Sequence, residues 1–325
     1  MAGTEKNRLL AAVQRLLLSQ SGAAGQYRKV RVMAKIYLDR VPWSAITDSR
    51  ALKECGRRVL PCLLLLLVAA APGYADGSQP DNAKPKFGPH ATSIQQSHEY
   101  LRTHRAPDYW ALSPYYVPQI SRSSCSLAAV TMLLNALLPL PARADQSLVS
   151  QSALLETLKT KAQRAGEDWA TKTADDGSGV TFADFRDYVR VSLKAYDLDA
   201  EVETFEPSDR SKATLRRLRS LLSRNERSGD DIALIYYNQG VVTGDWDGPH
   251  LSPIGAYDTR RRRVLIMDVD RQWYVPYWTS DEKLLEAMLR PAPPDQKVLA
   301  GQTGGVIWVK LRRPRPSHLR AGSDR

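Results

Sequence analysis

An α+β fold is predicted for this 325-residue chain by two kinds of segment and by their order. The run 126–138 is apolar on nearly every face and is ended by Pro139, the pattern of a fully buried helix. The runs 232–237, 251–257, 263–269 and 306–311 are short and rich in Ile, Val and Tyr, the composition of strands. Helical signals come first and strand signals later, which favours segregated helices and sheet over a doubly wound α/β layout.

Taken from the N-terminus, residues 1–50 hold an amphipathic stretch (Leu9, Leu10, Val13, Leu16, Leu17) and then a mixed basic segment. Residues 59–71 form a 13-residue apolar run behind Arg57 and Arg58, with Gly73 and Ala75 just after it. That run is shorter than the ~18–20 residues of a membrane span. Its basic flank and small residues describe a signal peptide cleaved after Ala75 and a protein exported to the bacterial periplasm. A start codon assigned too far upstream accounts for residues 1–50; a cytoplasmic extension is the alternative. Cys62 stands at the beginning of the apolar run, the wrong end for a lipidated cysteine. Residues 76–90 read as a Pro/Gly/polar linker, and the basic stretch 312–325 as an unstructured tail. The folded domain is expected at 91–311.

Within it, Ser123 and Ser124 precede the buried helix as candidate caps. A second, amphipathic helix is predicted over 148–162. Asp175 to Gly179 reads as a turn, and Thr181 with Asp184 as a capping box. Phe182, Phe185, Val189 and Leu193 then recur at helical spacing and are assigned to the core. Leu215, Leu218, Leu221 and Leu222 mark a further helix, with Arg216, Arg217, Arg219 and Arg224 expected on its solvated side.

Composition narrows the function. With 43% hydrophobic and 25% charged residues, the chain is neither disordered nor a polytopic membrane protein. The net charge of +11 suggests nucleic acid or an anionic surface. Removing residues 1–75 takes away 12 of the 46 Lys+Arg and 4 of the 35 Asp+Glu, which leaves +3. The nucleic-acid reading goes with the leader, and no stable membrane span remains. Cys55 and Cys62 go too, so Cys125 becomes the sole thiol of the exported protein.

Cys125 opens the buried helix, where unpaired backbone N–H groups and the macrodipole favour an anion. A buried structural thiol is the competing reading. A thiolate nucleophile needs a base. Of His90, His98, His104, His250 and His318, only His250 stands at a strand edge within the sheet region, after the Gly-rich turn 244–249. Residues 257–262 read as a hairpin connection, and regular pairing about it sets Asp268 at or near opposition to His250. The order Cys, His, then an acid is that of papain-like cysteine enzymes. Gln119, six residues before Cys125, can supply an amide N–H for an oxyanion hole with the Cys125 backbone N–H.

Three stretches then carry a resemblance: Ser-Cys-Ser-Leu-Ala-Ala-Val-Thr-Met-Leu-Leu-Asn-Ala-Leu at 124–137, His-Leu-Ser-Pro-Ile-Gly-Ala-Tyr at 250–257, and Leu-Ile-Met-Asp-Val-Asp-Arg-Gln-Trp-Tyr-Val-Pro-Tyr-Trp at 265–278. In this order they resemble the phytochelatin synthase family in its short bacterial form, over about residues 100–311. The resemblance implies a papain-like fold whose helical half carries the Cys and whose antiparallel sheet half carries the His and Asp. It implies glutathione as donor, loss of glycine, and a γ-glutamylcysteinyl thioester that passes to a second glutathione or to water. Cys125 would be the nucleophile, His250 the general acid/base, Asp268 its orienting partner, Gln119 the oxyanion donor, and Arg271 and Tyr274 substrate-binding residues. No tightly bound cofactor or protein metal site is expected; a heavy-metal ion such as cadmium or zinc would enter as a glutathione thiolate. The family usually has Gly where this chain has Ser126, whose hydroxymethyl group would narrow the site or add a hydrogen bond. An ordinary papain-like peptidase and a non-enzymatic basic surface-binding protein are the competing functions, and the oligomeric state is left open.

Overall fold

In the computed structural model, which describes residues 85–312, a sheet of seven antiparallel strands carries the molecule. The strands are β1 (Thr92–Ser93), β2 (Ala200–Phe205), β3 (Asp231–Asn238), β4 (Pro249–Asp258), β5 (Arg263–Ile266), β6 (Tyr277–Ser280) and β7 (Gly305–Leu311). Their order across the sheet is β1-β6-β5-β4-β3-β7-β2. The expected leader 1–75, most of the linker, the tail beyond Arg312, and with them Cys55, Cys62 and His318, lie outside the described residues.

Every residue of β3 is buried because the sheet is covered on both faces, which is why its sequence is a continuous apolar run rather than an alternation. Ile232, Leu234 and Tyr236 point into one core, Ala233, Ile235 and Tyr237 into the other. The first core lies under α3 (Cys125–Leu137), α4 (Gln151–Lys161), α5 (Gln163–Lys172) and α6 (Phe182–Ala195); two short helices, α1 (Glu99–Thr103) and α2 (Pro107–Leu112), precede them. The second lies under α7 (Lys212–Asn225) and α9 (Asp281–Leu289), with the short α8 (Gln239–Thr243) between β3 and β4. The mixed helix and antiparallel-sheet architecture is the α+β class expected, although β2 falls between helices. The alternating Glu and apolar residues of β2 make a partly exposed edge strand paired to β7.

All of α3 except Cys125 is buried, as its lack of a polar face requires. The serine cap is corrected: Ser124 is the N-cap residue, but no side chain caps the helix. Its Oγ accepts from the Ser121 N–H at 2.7 Å and donates to the Ser121 carbonyl at 3.0 Å, closing a tight turn on itself. The helix expected over 148–162 begins only at Gln151, with the Ser150 Oγ accepting from the Ala153 N–H at 3.1 Å. Ahead of it, Asn135 of α3 engages the Val149 backbone, donating to its carbonyl and accepting its N–H at 2.8 and 2.9 Å. The capping box at Thr181 and Asp184 is present.

The arginine face of α7 also differs from expectation. Arg219 donates two bonds, at 2.8 and 2.9 Å, to the fully buried carboxylate of Asp281 on α9. Arg224 pairs with Glu203 of β2. These guanidinium groups tie α7 to its neighbours, because α7 covers the sheet between two elements that present carboxylates to it.

Between β4 and β5 the pairing is Asp258↔Arg263, Tyr257↔Val264 and Ala256↔Leu265, then Ile254↔Ile266 beyond a bulge. Gly255 occupies the bulge, and an added Cβ there would meet Met267 Cγ at 2.8 Å. The extra residue bends β4 and restores one face to Ile254 and Tyr257, both in the second core.

Candidate active site

Cys125 lies half-buried at the first turn of α3, where two cavities meet. The larger, about 570 Å³, is lined by Gln119, Cys125, Trp246, His250, Asp270 and Arg271 among others. The smaller, about 260 Å³, runs past Gly177–Gly179, Tyr236 and Lys297. A bigger hollow of about 890 Å³ lies between α5 and α6. Two of its carboxylates are bridged by Lys172 (Asp168 and Asp184), and no cysteine or histidine lines it.

β4 brings His250 to this cleft as a 4% exposed side chain opposite Tyr237 of β3. Its Nε2 is 2.8 Å from Asp268 Oδ1, and Cys125 lies near enough to favour charge on the imidazole. With Nε2 engaged by the carboxylate, Nδ1 is the nitrogen left for the thiol. The register argument that first linked His250 to Asp268 holds to within two residues. The hairpin closes on Asp258↔Arg263, the bulge at Gly255 moves the register one residue back toward His250, and the Met267 N–H bond to the Pro253 carbonyl at 2.9 Å leaves Ser252 level with Asp268. β5 has ended by then, and the Asp268 side chain reaches back along β4 to the imidazole.

Charge is organised around this pair. Desolvation disfavours charge on His250, but the Asp268 carboxylate and its hydrogen bond outweigh it and hold the imidazole well above its ordinary value. Burial likewise works to raise Asp268, yet the charge and hydrogen bond of His250, with other donors, hold it below the ordinary carboxylate range. Asp270, facing the cleft, is pushed up by burial.

Gln119 is anchored by its backbone N–H to the Val269 carbonyl at 2.9 Å. Its side-chain carbonyl is enclosed without a partner, so the amide is not committed to another protein group. The Arg271 guanidinium lies 4.5 Å from the Tyr116 ring centre, donates to the Tyr116 carbonyl at 3.1 Å, and lines the larger cavity. Tyr274 does not line it. Its hydroxyl donates to Asp245 at 2.7 Å, and the Lys86 ammonium sits over its ring at 4.3 Å. The structure thus gathers Cys125, Gln119, His250 and Arg271 around one cavity, with Asp268 behind the imidazole and Tyr274 to one side.

Sequence reasoning missed the groups that hold Asp268. Gln239 and Tyr277 donate to its Oδ2, both at 2.8 Å, and the Asp270 N–H donates to Oδ1 at 2.9 Å. Tyr116 donates to its carbonyl. Nothing in the linear sequence marks Gln239 or Tyr277; they meet Asp268 only through sheet topology. Trp246 and Trp273, 43% and 60% exposed on the cavity wall, were also passed over. A tryptophan inside the Gly-rich turn before His250 was the available signal. Ser126 turns its hydroxyl away from the cleft, where it accepts from Trp169 Nε1 at 2.9 Å. Of the two readings of that residue, the added hydrogen bond is the one present. Among the described residues, no three His, Cys, Asp or Glu side chains are grouped to hold a metal ion, and no helix is long and apolar enough to cross a membrane.

A family model described as phytochelatin synthase matches residues 91–297. Among curated proteins, glutathione gamma-glutamylcysteinyltransferase 3 of Lotus japonicus is 30% identical over 215 residues, covering 63% of this chain and 38% of the relative. Glutathione gamma-glutamylcysteinyltransferases 1 and 2 of Arabidopsis thaliana are 28% and 26% identical, each over 198 residues and 58% of this chain. The chain spans only 35–38% of the length of these three relatives.

Proposed function

The chain belongs to the phytochelatin synthase family, and on that premise we propose that it is a cysteine-dependent acyltransferase acting on glutathione. The observation that carries the proposal is the single cavity onto which Cys125, His250 and Gln119 open, with Asp268 bonded to the imidazole. The relatives' names, glutathione gamma-glutamylcysteinyltransferase, supply the substrate and the group transferred.

In the proposed reaction the Cys125 sulfur, as thiolate, attacks the carbonyl carbon of the Cys–Gly peptide bond. The carbonyl electron pair moves onto oxygen, where the Gln119 amide and the uncapped N–H groups at the start of α3 are the nearby donors. The C–N bond breaks as His250 gives its proton to the departing glycine nitrogen, leaving a γ-glutamylcysteinyl thioester on Cys125. His250, now neutral, takes a proton from the attacking amine of a second glutathione or from water. The thiolate leaves, releasing a lengthened peptide or γ-Glu-Cys. Asp268 remains an anion throughout and stabilises the imidazolium.

The papain-like fold is part of the same reading, supported by a Cys at a helix start facing a His on an antiparallel strand. Arg271, on the cavity wall, suits a substrate carboxylate; Tyr274 would reach the substrate only by leaving Asp245. A heavy-metal ion enters as the thiolate of its glutathione substrate. The catalytic domain is placed at 91–311, with export directed by the apolar run before residue 75.

The test is glycine release from glutathione, with and without cadmium or zinc, followed together with the peptide products. Wild type should release glycine, and Cys125→Ala should lose at least about 10³-fold of that rate. Equal release by the variant overturns the proposal, and cleavage of unrelated peptides at comparable rates favours an ordinary peptidase.

A further inference from the structure

Asp268 receives more donors than orienting an imidazole requires. Oδ1 accepts from His250 Nε2 at 2.8 Å and from the Asp270 N–H at 2.9 Å. Oδ2 accepts from Gln239 Nε2 and the Tyr277 hydroxyl, both at 2.8 Å, with the Tyr237 hydroxyl at 3.4 Å. The two tyrosine hydroxyls are 2.6 Å apart. Tyr277 donates its proton to the carboxylate, and the Tyr237 hydroxyl, within reach of both, has its one proton for either the Tyr277 oxygen or Oδ2. The carboxylate and all three of these side chains are essentially fully buried, so no water competes for the bonds. They arrive from β3, which also pairs with the His250 strand, from the start of α8 and from β6.

We propose that Tyr277, backed by Tyr237 and joined by Gln239, is a positioning residue for the Cys125–His250 pair. Its hydroxyl keeps Asp268 ionised, with Oδ1 turned to His250, and so keeps the imidazole protonated and Nδ1 facing the thiol. A carboxylate that accepts several hydrogen bonds resists protonation, and a carboxylate that stays ionised stabilises the imidazolium beside it. The charged and titratable groups facing Asp268 are His250 on β4, Tyr237 on β3, Tyr277 on β6, Tyr116 ahead of α3, and Asp270 and Tyr274 after β5. Cys125 acts on it through His250 and Lys86 through Asp270. Asp270 is the one like charge in this set, and the hydroxyl donors oppose its effect. Gln239 and Tyr277 meet only at the carboxylate, so each is an independent handle on it.

The inference rests on the proposed acyl transfer for its catalytic consequence, and the experiment separates the two. Full-length protein is alkylated with iodoacetamide across pH 4–9 and modification is followed at the peptide containing Cys125; glycine release from glutathione is measured over the same range. In Tyr277→Phe the acid limb of both profiles should move up by about one pH unit, with kcat near pH 6 down about tenfold and KM within about twofold. Gln239→Leu should move it the same way, and serves if Tyr277→Phe does not fold. Tyr257→Phe removes an equally buried hydroxyl that bonds Asp281 instead, and should lower thermal stability without moving either limb. Acid limbs superimposable on wild type in Tyr277→Phe and Gln239→Leu overturn the inference. Alkylation needs no substrate, so a wild type that releases no glycine counts against acyl transfer alone, and the alkylation profiles still decide this point.

Discussion

The indole N–H of Trp169 on α5 is buried and has one acceptor, the hydroxyl of Ser126. Replacing that residue by Gly strands the donor, at about 1–3 kcal/mol, and puts Gly inside a helix, at about 1 kcal/mol more. Ser126→Gly should therefore lower stability by roughly 2–4 kcal/mol in urea unfolding, while glycine release per folded molecule at 25 °C holds. A variant of unchanged stability with impaired release would place the serine in the chemistry instead. At this scale Cys125 and His250 were legible because their chemistry and position within an element coincide in the linear sequence. Asp268 was reached through an idealised hairpin, whereas the real one closes on Asp258↔Arg263 and sets it two residues off His250; the link survived because a side chain can span two residues along a strand. Gln239 and Tyr277 were not legible, since what makes them matter is a carboxylate on another strand.

Packing between elements turns on carboxylates that the sequence leaves anonymous. Asp281 opens α9 fully buried, bound by Arg219 of α7 and by the Tyr257 hydroxyl at 2.7 Å. Arg219→Leu would keep the apolar stem but leave that carboxylate one neutral donor, at a cost of about 3–5 kcal/mol. The expected outcome is a large fall in the thermal unfolding midpoint, mostly regained when Asp281→Asn is added; additive losses in the double variant would refute the coupling. Periodicity found α6 and α7, and an unbroken apolar run ended by Pro139 found α3. Periodicity missed α5, which is polar on most faces, and α9, which is only nine residues long, and read Leu148 and Val149 as helix when Asn135 binds the Val149 backbone ahead of the first turn. Short runs rich in Ile, Val and Tyr marked β3, β4, β5 and β7, because a sheet covered on both faces needs apolar residues on both. The four-residue β6 lay hidden among aromatic residues that read equally well as loop.

Across the whole molecule, pH acts through carboxyl groups at the junction of α2, α7 and the sheet. Burial pushes Glu226 up to about 7, against the hydrogen bonds it accepts from the Tyr257 N–H and the Tyr100 hydroxyl; Asp231 is pushed up to about 6 and Asp108 well above its usual range, again by burial. In the unfolded chain Glu226 releases its proton near 4.3. Between that pH and about 7 the native state holds the extra proton, so stability from this group falls as pH rises. Asp268 works the other way, being held low in the fold, and contributes stability that is lost only as acid reaches its lowered value. Glu226→Gln should thus gain on wild type by up to about 3 kcal/mol between pH 5 and pH 8 in urea unfolding, and an unchanged gap would rule this out. Residues 85–90 have a further consequence. Lys86 bonds Asp245 at 2.9 Å and covers Trp273 and Tyr274, while the Phe87 ring meets Tyr274 and Tyr277 edge-on. The family match opens at residue 91, so a chain trimmed to that boundary would shed this clasp and bare the aromatic rim of the cleft. An affinity tag fused directly ahead of residue 85 would emerge against that same rim, where it competes with incoming peptide, and the opposite terminus is the better place to attach one.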